Sequence, residues 1–112
     1  MRHIAEFLRE HPPFDTLDAE TLERVATSAE IRSYPGGAAI LDSAEETSRF
    51  AWVVRRGSVE LVIEGRMLDL LGEGEMFGFA SLLEEAPLGF VARPAEDTLV
   101  YRIPAESIRP VL

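Results

Sequence analysis

The first thirty residues carry apolar side chains at the spacing of α-helices. A short amphipathic run over 4–10 ends at the Pro12-Pro13 pair, because proline disfavours helix in the residue before it. A second helix is predicted to begin at Asp18, an N-cap residue, with a hydrophobic staple closing its first turn. Its apolar positions follow i, i+3, i+4 and i+7 spacing: Leu22, Val25, Ala26 and Ala29. We therefore predict an N-terminal helical segment over residues 1–30.

From residue 31 the pattern changes to short β-rich runs separated by turn residues. The runs are IRSY, AAIL, FAWVVR, SVELVI, RMLDLL, FVAR and TLVYRI. In SVELVI the residues Val59, Leu61 and Ile63 alternate with the other three, as a half-buried strand requires. VIEGRML predicts a hairpin with Glu64 and Gly65 at its tip. The pattern indicates a mainly β fold with flanking helices, of the β-roll or jelly-roll kind.

The predicted β-roll covers residues 31–104, and two stretches within and after it are helical in character. The segment EMFGFASLLEEAPLGFV predicts a short helix near 80–85, entered through Gly78 and ended by proline and glycine. AESIRPVL predicts the start of a C-terminal helix at 105–112. Three apolar side chains there have no visible packing partner: Ile108, Val111 and Leu112. We therefore expect this helix to be cut short, and the chain to be a piece of a longer protein.

Composition narrows the classes of function. The 112 residues carry a net charge of −9, so the chain has no general attraction for nucleic acid or for anionic membranes. No run is apolar enough to span a bilayer, and the first residues lack the apolar core of a secretory signal. Cysteine is absent, and all 11 basic residues are arginine, which excludes thiolate and lysine chemistry. We expect one soluble, cytoplasmic domain with no direct nucleic-acid or membrane partner.

Residues that enzymes use are sparse. A metal-dependent cupin reaction needs clustered histidine and carboxylate ligands, yet His3 and His11 both precede the β-region. Ser81 has no histidine near it in sequence to serve as a base, and we interpret it as a helix-start or solvent-facing residue. Trp52 lies in an apolar strand and is assigned to the core. The chain is therefore predicted not to be an enzyme, and no metal ligands are assigned.

The order of these motifs resembles the cyclic-nucleotide-binding domain family, the sensor modules of cAMP-responsive regulators. YPGGAAIL is similar to that family's aromatic-Pro-x-Gly-x-x-Ile opening, FAWVVRRGSVELV to its glycine-containing strand pair, and LLGEGEMFGFASLL to its Leu-Gly-x-Gly-x-x-Phe-Gly-Glu stretch. TLVYRIP looks like the closing strand, and the resemblance covers nearly all residues from Phe14 onward. It implies a double-stranded β-helix in which residues 75–91 are the phosphate-binding cassette. In that cassette an arginine and a helix N-terminus hold the cyclic phosphate, and a glutamate binds the ribose 2′-hydroxyl.

The cassette matches the family only in part. Phe79 stands at the glutamate position and Leu88 at the arginine position, and Phe90 with Val91 replaces an Ala-Thr pair. Arg93 lies two residues beyond Val91 on the same face of a regular strand and is the one substitute cation. Loss of both charged contacts, with the bulk of Phe90, argues against ordinary cAMP binding. On this resemblance the candidate ligand-pocket residues are Phe77, Gly78, Phe79, Ala80, Ser81, Leu88, Gly89, Phe90, Val91 and Arg93.

A narrower likeness is to the N-terminal sensor domains of bacterial signalling proteins that continue into paired CBS domains and a predicted nucleotidyltransferase. That subgroup is similar in lacking the arginine and the glutamate. The favoured hypothesis is a regulatory domain of bacterial signal transduction without ordinary cAMP affinity, whose effector is a cyclic nucleotide, another small nucleotide-like ligand, or none. A covalently linked downstream output domain and a homodimer are its expected partners. The alternatives are a genuine cyclic-nucleotide sensor with a non-standard cassette, and a cupin-like enzyme or purely structural interaction domain.

Overall fold

The structure is a computed structural model that describes residues 4–112; His3 and the two residues before it lie outside the described residues. Residues 4–112 form four helices and seven strands. In order they are α1 (Ile4–Arg9), α2 (Ala19–Ser28), β1 (Glu30–Tyr34), β2 (Phe50–Arg56), β3 (Val59–Ile63), β4 (Arg66–Leu71), β5 (Met76–Phe77), α3 (Phe79–Glu84), β6 (Val91–Pro94), β7 (Thr98–Pro104) and α4 (Ala105–Ile108). Short 3₁₀ turns occupy Phe14–Thr16 and Arg109–Val111.

The strands form two antiparallel sheets around a shared apolar interior. One sheet has the order β1-β7-β2-β5 and the other β4-β3-β6. Trp52 and Val54 of β2 contact Val59 of the second sheet in this interior, whereas the intervening Ala51 and Val53 join a cluster with the helices. Alternate residues of β2 therefore face two different cores, as the pleat of a strand requires. This mainly β architecture with flanking helices confirms the predicted jelly roll.

The helices cover the outer face of the four-stranded sheet. The Asp18 side chain accepts a hydrogen bond from the Thr21 N–H at 2.7 Å, which caps α2 as predicted. Ile108 of α4 is fully buried in the helical cluster, and Val111 packs against it. The expectation that the side chains of this C-terminal segment have no packing partner is therefore wrong, because α4 packs between α2 and β2. Leu112 alone among the three remains exposed, at 37%.

Two strand predictions need correction. AAIL is not a strand, and only Leu41 forms an isolated bridge, to Ala92 of β6. The backbone of this segment hydrogen-bonds to the edge of β6 at separate points, so it runs as a loop along that edge. The two-residue strand β5 was not predicted, because two residues show no periodicity. The hairpin between β3 and β4 is confirmed, with Glu64 and Gly65 both at positive φ.

The alternation predicted for β3 holds only at its first residue. Val59 is fully buried, Leu61 is partly exposed, and Ile63 is 39% exposed. β3 therefore leaves the core as it approaches the hairpin, and apolar identity alone overestimates the burial of Ile63. The paired strand β4 is exposed along most of its length, with Met67, Leu68 and Leu70 all more than half exposed.

Candidate functional site

The cassette helix lies between two residues in the left-handed region. α3 begins after Gly78, at φ 83°, and ends at Glu85, at φ 52°. The helix therefore starts and stops one residue earlier than the predicted 80–85, and Glu85 ends it rather than the proline and glycine beyond. A Cβ on Gly78 would lie 3.0 Å from Trp52 Cδ1 and 3.2 Å from the Phe50 carbonyl oxygen. Both the positive φ and this close packing explain why glycine stands there.

Ser81 joins the cassette to the loop before β2. Its hydroxyl donates to the Ala86 carbonyl and accepts from the Ser48 N–H at 2.9 Å. Ser81 is only 5% exposed, so its interpretation as solvent-facing is wrong, although its position in the first turn of α3 is confirmed. Because both bonding directions of the hydroxyl are used within the protein, Ser81 has a structural role and is not free to act as a nucleophile.

The segment after α3 is also held by that loop. The Leu88 N–H donates to the Glu46 carbonyl at 2.8 Å, and the Gly89 N–H donates to the Ala44 carbonyl at 2.9 Å. These two backbone donors are therefore engaged within the chain. Leu88 is 9% exposed, and its side chain is part of the apolar wall of the site.

A cavity of about 180 Å³ lies between α3 and the strands β3 and β4. Seven of the ten predicted site residues line it: Phe77, Gly78, Phe79, Ala80, Ser81, Leu88 and Phe90. Gly89, Val91 and Arg93 do not. Arg93 is exposed, is paired in register with Glu60 of β3, and follows the fully buried Ala92, so it lies on the outer face of β6.

Sequence reasoning missed four further lining residues: Leu61, Asp69, Leu71 and Met76. The period-2 alternation of β3 and β4 could have indicated the two leucines as inward positions. Asp69 lies two residues before Leu71 and shares its face, but a charged residue is not expected at an inward position, so it was not a candidate. Its carboxylate accepts a hydrogen bond from the Leu70 N–H at 2.9 Å.

The charge of this cavity is opposite to what a phosphate requires. Asp69 is the one ionisable residue among the described residues that line it. A carboxylate repels an anionic ligand, and no arginine is among the described residues that line the cavity. The cavity is therefore apolar with a single acidic group on the strand side.

A second, wider cleft shares Leu88 with this cavity and has a volume of about 870 Å³. It opens between the 40–50 loop, the inner side of β2 and β7, and the start of α4. Its lining includes aromatic residues and three arginines, in contrast to the cassette cavity. Within residues 4–112 no group of three or more histidine, cysteine or acidic residues could hold a metal ion. Across the same span, none of the helices has the length and apolar character needed to cross a membrane.

The two antiparallel sheets and the glycine-led helix α3 define a jelly-roll domain with a candidate small-molecule pocket beside that helix. The model of the cyclic nucleotide-binding domain family matches residues 31–112, and the chain belongs to that family. A curated relative, the cAMP-dependent protein kinase regulatory subunit of Eremothecium gossypii, is 25% identical over 99 residues. That match covers 88% of this chain and 21% of the relative, so the chain spans about a fifth of the relative's length.

Two solved structures share the fold closely. The regulatory domain of Toxoplasma gondii PKA with cAMP matches with a TM-score of 0.88 and 18% identity, over 98% of this chain and 43% of that one. The regulatory subunit of a cAMP-independent protein kinase A from Trypanosoma cruzi, bound to guanosine, matches with a TM-score of 0.88 and 16% identity, over 97% and 39%. At these identities the likeness shows the fold alone.

Proposed function

We propose that this chain is a regulatory domain of bacterial signal transduction whose cassette has lost ordinary cAMP affinity. The proposal rests on one observation: Leu88, at the position of the family's arginine, is a nearly buried part of an apolar wall. The cavity behind it has one carboxylate, on Asp69, and no cation among its described lining residues. The proposed role is regulatory and not catalytic.

The energetic argument concerns the phosphate. A hydrogen bond to a charged group contributes about 1.5–3 kcal/mol, which corresponds to about one to two powers of ten in affinity. Phe79 and Leu88 supply neither the charged donor nor the carboxylate acceptor of a family cassette. Arg93, the substitute suggested by the sequence, lines neither cavity, so the alternative of a non-standard cAMP cassette finds no cation among the described residues that line the cassette cavity.

The volume of the cassette cavity also argues against binding of cAMP. Sites for small molecules usually measure about 300–1,000 Å³. The cassette cavity measures about 180 Å³, because the rings of Phe79 and Phe90 both stand in its lining. The cAMP-independent T. cruzi protein, which binds guanosine, supports the idea that this fold can serve a regulatory role without recognising a cyclic phosphate. We therefore propose that the cassette has either a small uncharged nucleoside-like ligand or a purely packing role.

Thermal melting of the purified chain tests this proposal. A ligand present at 100 times its Kd adds about 2.7 kcal/mol of stability, which raises the Tm of a domain of this size by roughly 10 °C. We expect no rise with micromolar cAMP or cGMP that depends on the cassette cavity. A clear rise with cAMP that Ala80→Phe, in the lining of that cavity, abolishes would contradict the proposal, whereas a rise with guanosine or adenosine alone would identify the class of ligand.

The proposed partners are a covalently linked output domain downstream, of the CBS and nucleotidyltransferase kind, and a second copy of the chain. A cytoplasmic location belongs to the same proposal.

The C-terminal turn is packed against the domain, so it no longer supports dimerisation through that end. The exposed apolar side chains Met67, Leu68 and Leu70 of β4 offer another surface, because β4 is an edge strand and an edge strand can pair with its own copy. Light scattering of the purified chain tests the dimer, and the reading frame beyond Leu112 tests the output domain.

A further inference from the structure

The wide cleft has an aromatic floor built around Trp52. The Trp52 ring lies 6.4 Å from Tyr34 and 5.9 Å from Phe50, centroid to centroid, with edge-on geometry in both pairs. On the other side it stacks on Phe77 at 6.0 Å with 9° between the planes. Three of these rings, those of Tyr34, Phe50 and Trp52, line the cleft. Fixed rings of this kind offer apolar, edge and face contacts to a flat ligand.

Three arginines surround this aromatic floor. Arg102 lies 4.1 Å from the Phe50 ring centroid and is held there by Glu30, whose carboxylate accepts from the Arg102 Nε at 2.8 Å. Arg49 and Arg109 also line the cleft, are exposed, and form no ion pair with any other residue that the structure describes. In a chain with a net charge of −9, three of 11 basic residues therefore converge on one cleft. The guanidinium groups of Arg49 and Arg109 are therefore available to pair with an anionic ligand.

The indole of Trp52 provides a further observation. Trp52 is 3% exposed, and its Nε1–H is a buried donor for which no acceptor is present within residues 4–112. Buried donors in folded proteins are nearly always hydrogen-bonded, and those that are not call for a specific explanation. The Nε1–H is shielded from solvent, so an acceptor atom of a molecule in the cleft would reach it only if neighbouring side chains move aside.

We propose that the wide cleft is a second ligand site, distinct from the cassette cavity although Leu88 lines both, that binds a small aromatic anion. Its volume of about 870 Å³ lies within the usual range of small-molecule sites, about 300–1,000 Å³. A flat ring contacts the Tyr34, Phe50 and Trp52 side chains, and an anionic group pairs with Arg49 and Arg109. Glu46 and Glu85 also line the cleft, and they disfavour ligands that carry more negative charge than the arginines offset.

The chain contains one tryptophan, which lines the cleft and also contacts residues of the cassette cavity, so its fluorescence detects binding at either place and variants must separate the two. We would titrate the chain with 5′-AMP, which has both a flat ring and an anionic group, and compare adenosine, which lacks the anion, and inorganic phosphate, which lacks the ring. The expected result is a saturable change in Trp52 emission with AMP, and affinities at least about tenfold weaker for both comparison compounds. No saturable change with AMP up to millimolar concentration, or equal binding of adenosine and AMP, would overturn the proposal.

Matched variants locate the binding. Arg49→Gln and Arg109→Gln remove exposed charges of the cleft, and each should weaken AMP binding by about tenfold or more. Arg93→Gln removes an equally exposed charge that lines neither cavity and should leave binding unchanged. Ala80→Phe adds a ring to the lining of the cassette cavity and not to the cleft, and it keeps Trp52 as the one tryptophan, so it should also leave the AMP response unchanged. Loss of AMP binding in Ala80→Phe, or equal AMP affinities of Arg49→Gln and Arg93→Gln, would place AMP outside the cleft and refute the second site.

Discussion

Restoring the two missing cassette side chains should give this chain affinity for cAMP. The change is Phe79→Glu together with Leu88→Arg, which returns a carboxylate and a guanidinium to the positions that the family resemblance gives them. Each charged hydrogen bond contributes about 1.5–3 kcal/mol, so the pair should improve affinity by about two to four powers of ten. Phe90→Ala is added as a third change, because the cavity of about 180 Å³ is too small while that ring lines it.

The same changes should lower the stability of the unliganded chain. Leu88 is 9% exposed, and replacing an apolar wall residue by a charge costs about 2–3 kcal/mol when nothing pairs with it. The triple variant should therefore melt at a lower temperature alone and regain roughly 10 °C in saturating cAMP. Thermal melting with and without 1 mM cAMP measures both effects, and isothermal titration gives the Kd.

Leu83→Arg is the matched control. It introduces the same side chain into α3, five residues before Leu88, at a position that is 52% exposed and lines neither cavity. It should change neither the stability nor the response to cAMP. If the triple variant is folded by circular dichroism and still does not bind cAMP, then the backbone of the cassette, and not the lost charges, prevents binding, and the reasoning about Phe79 and Leu88 is refuted.

Three further predictions concern the frame of the site. Gly57→Ala should destabilise the chain by about 2 kcal/mol more than Gly65→Ala in urea melts: both glycines have positive φ, but only the methyl group at Gly57 would lie within 2.7 Å of other atoms. Equal losses would show that the clash relaxes. Hydrogen bonding from Arg102 lowers the pKa of Glu30, so its contribution to stability is present above about pH 5 and is lost as the pH falls through the lowered pKa. Glu30→Gln should therefore flatten the acid side of a Tm-against-pH curve, and an unchanged slope would contradict this. Light scattering should give twice the 12.4 kDa mass for the chain and a monomer for Leu68→Glu, whereas a monomer for the unmodified chain removes β4 as a dimer surface.

Local signals predicted most of the fold. The Asp18 cap, the helical spacing after it and the glycine-led hairpin each depend on residues close together in sequence, and each is confirmed. AAIL was mistaken for a strand because its composition favours extended backbone, while its structure depends on the distant edge of β6. The burial of Ile108 could not be predicted for the same reason, because α2 and β2, which bury it, lie more than fifty positions earlier in the sequence.

The lining of the cassette cavity could be predicted only where its residues are contiguous in sequence. The residues around α3 lie next to each other in sequence, so the resemblance found most of the cavity lining. Arg93 was assigned to the site because strand periodicity gives a shared face but does not show which face is inward. The buried Ala92 beside it settles that direction. The wide cleft could not have been found, because it brings β1, the 40–50 loop, β7 and α4 together across the whole chain.

Among the residues that the structure describes, Leu88 is the one that lines both cavities. If a ligand in either cavity displaces it, the two binding events acquire a coupling free energy, and thermodynamic linkage requires each ligand to change the affinity of the other by the same factor. On the proposed function, in which Leu88 stands at the position of the family's arginine, this side chain would then couple the occupancy of the two cavities.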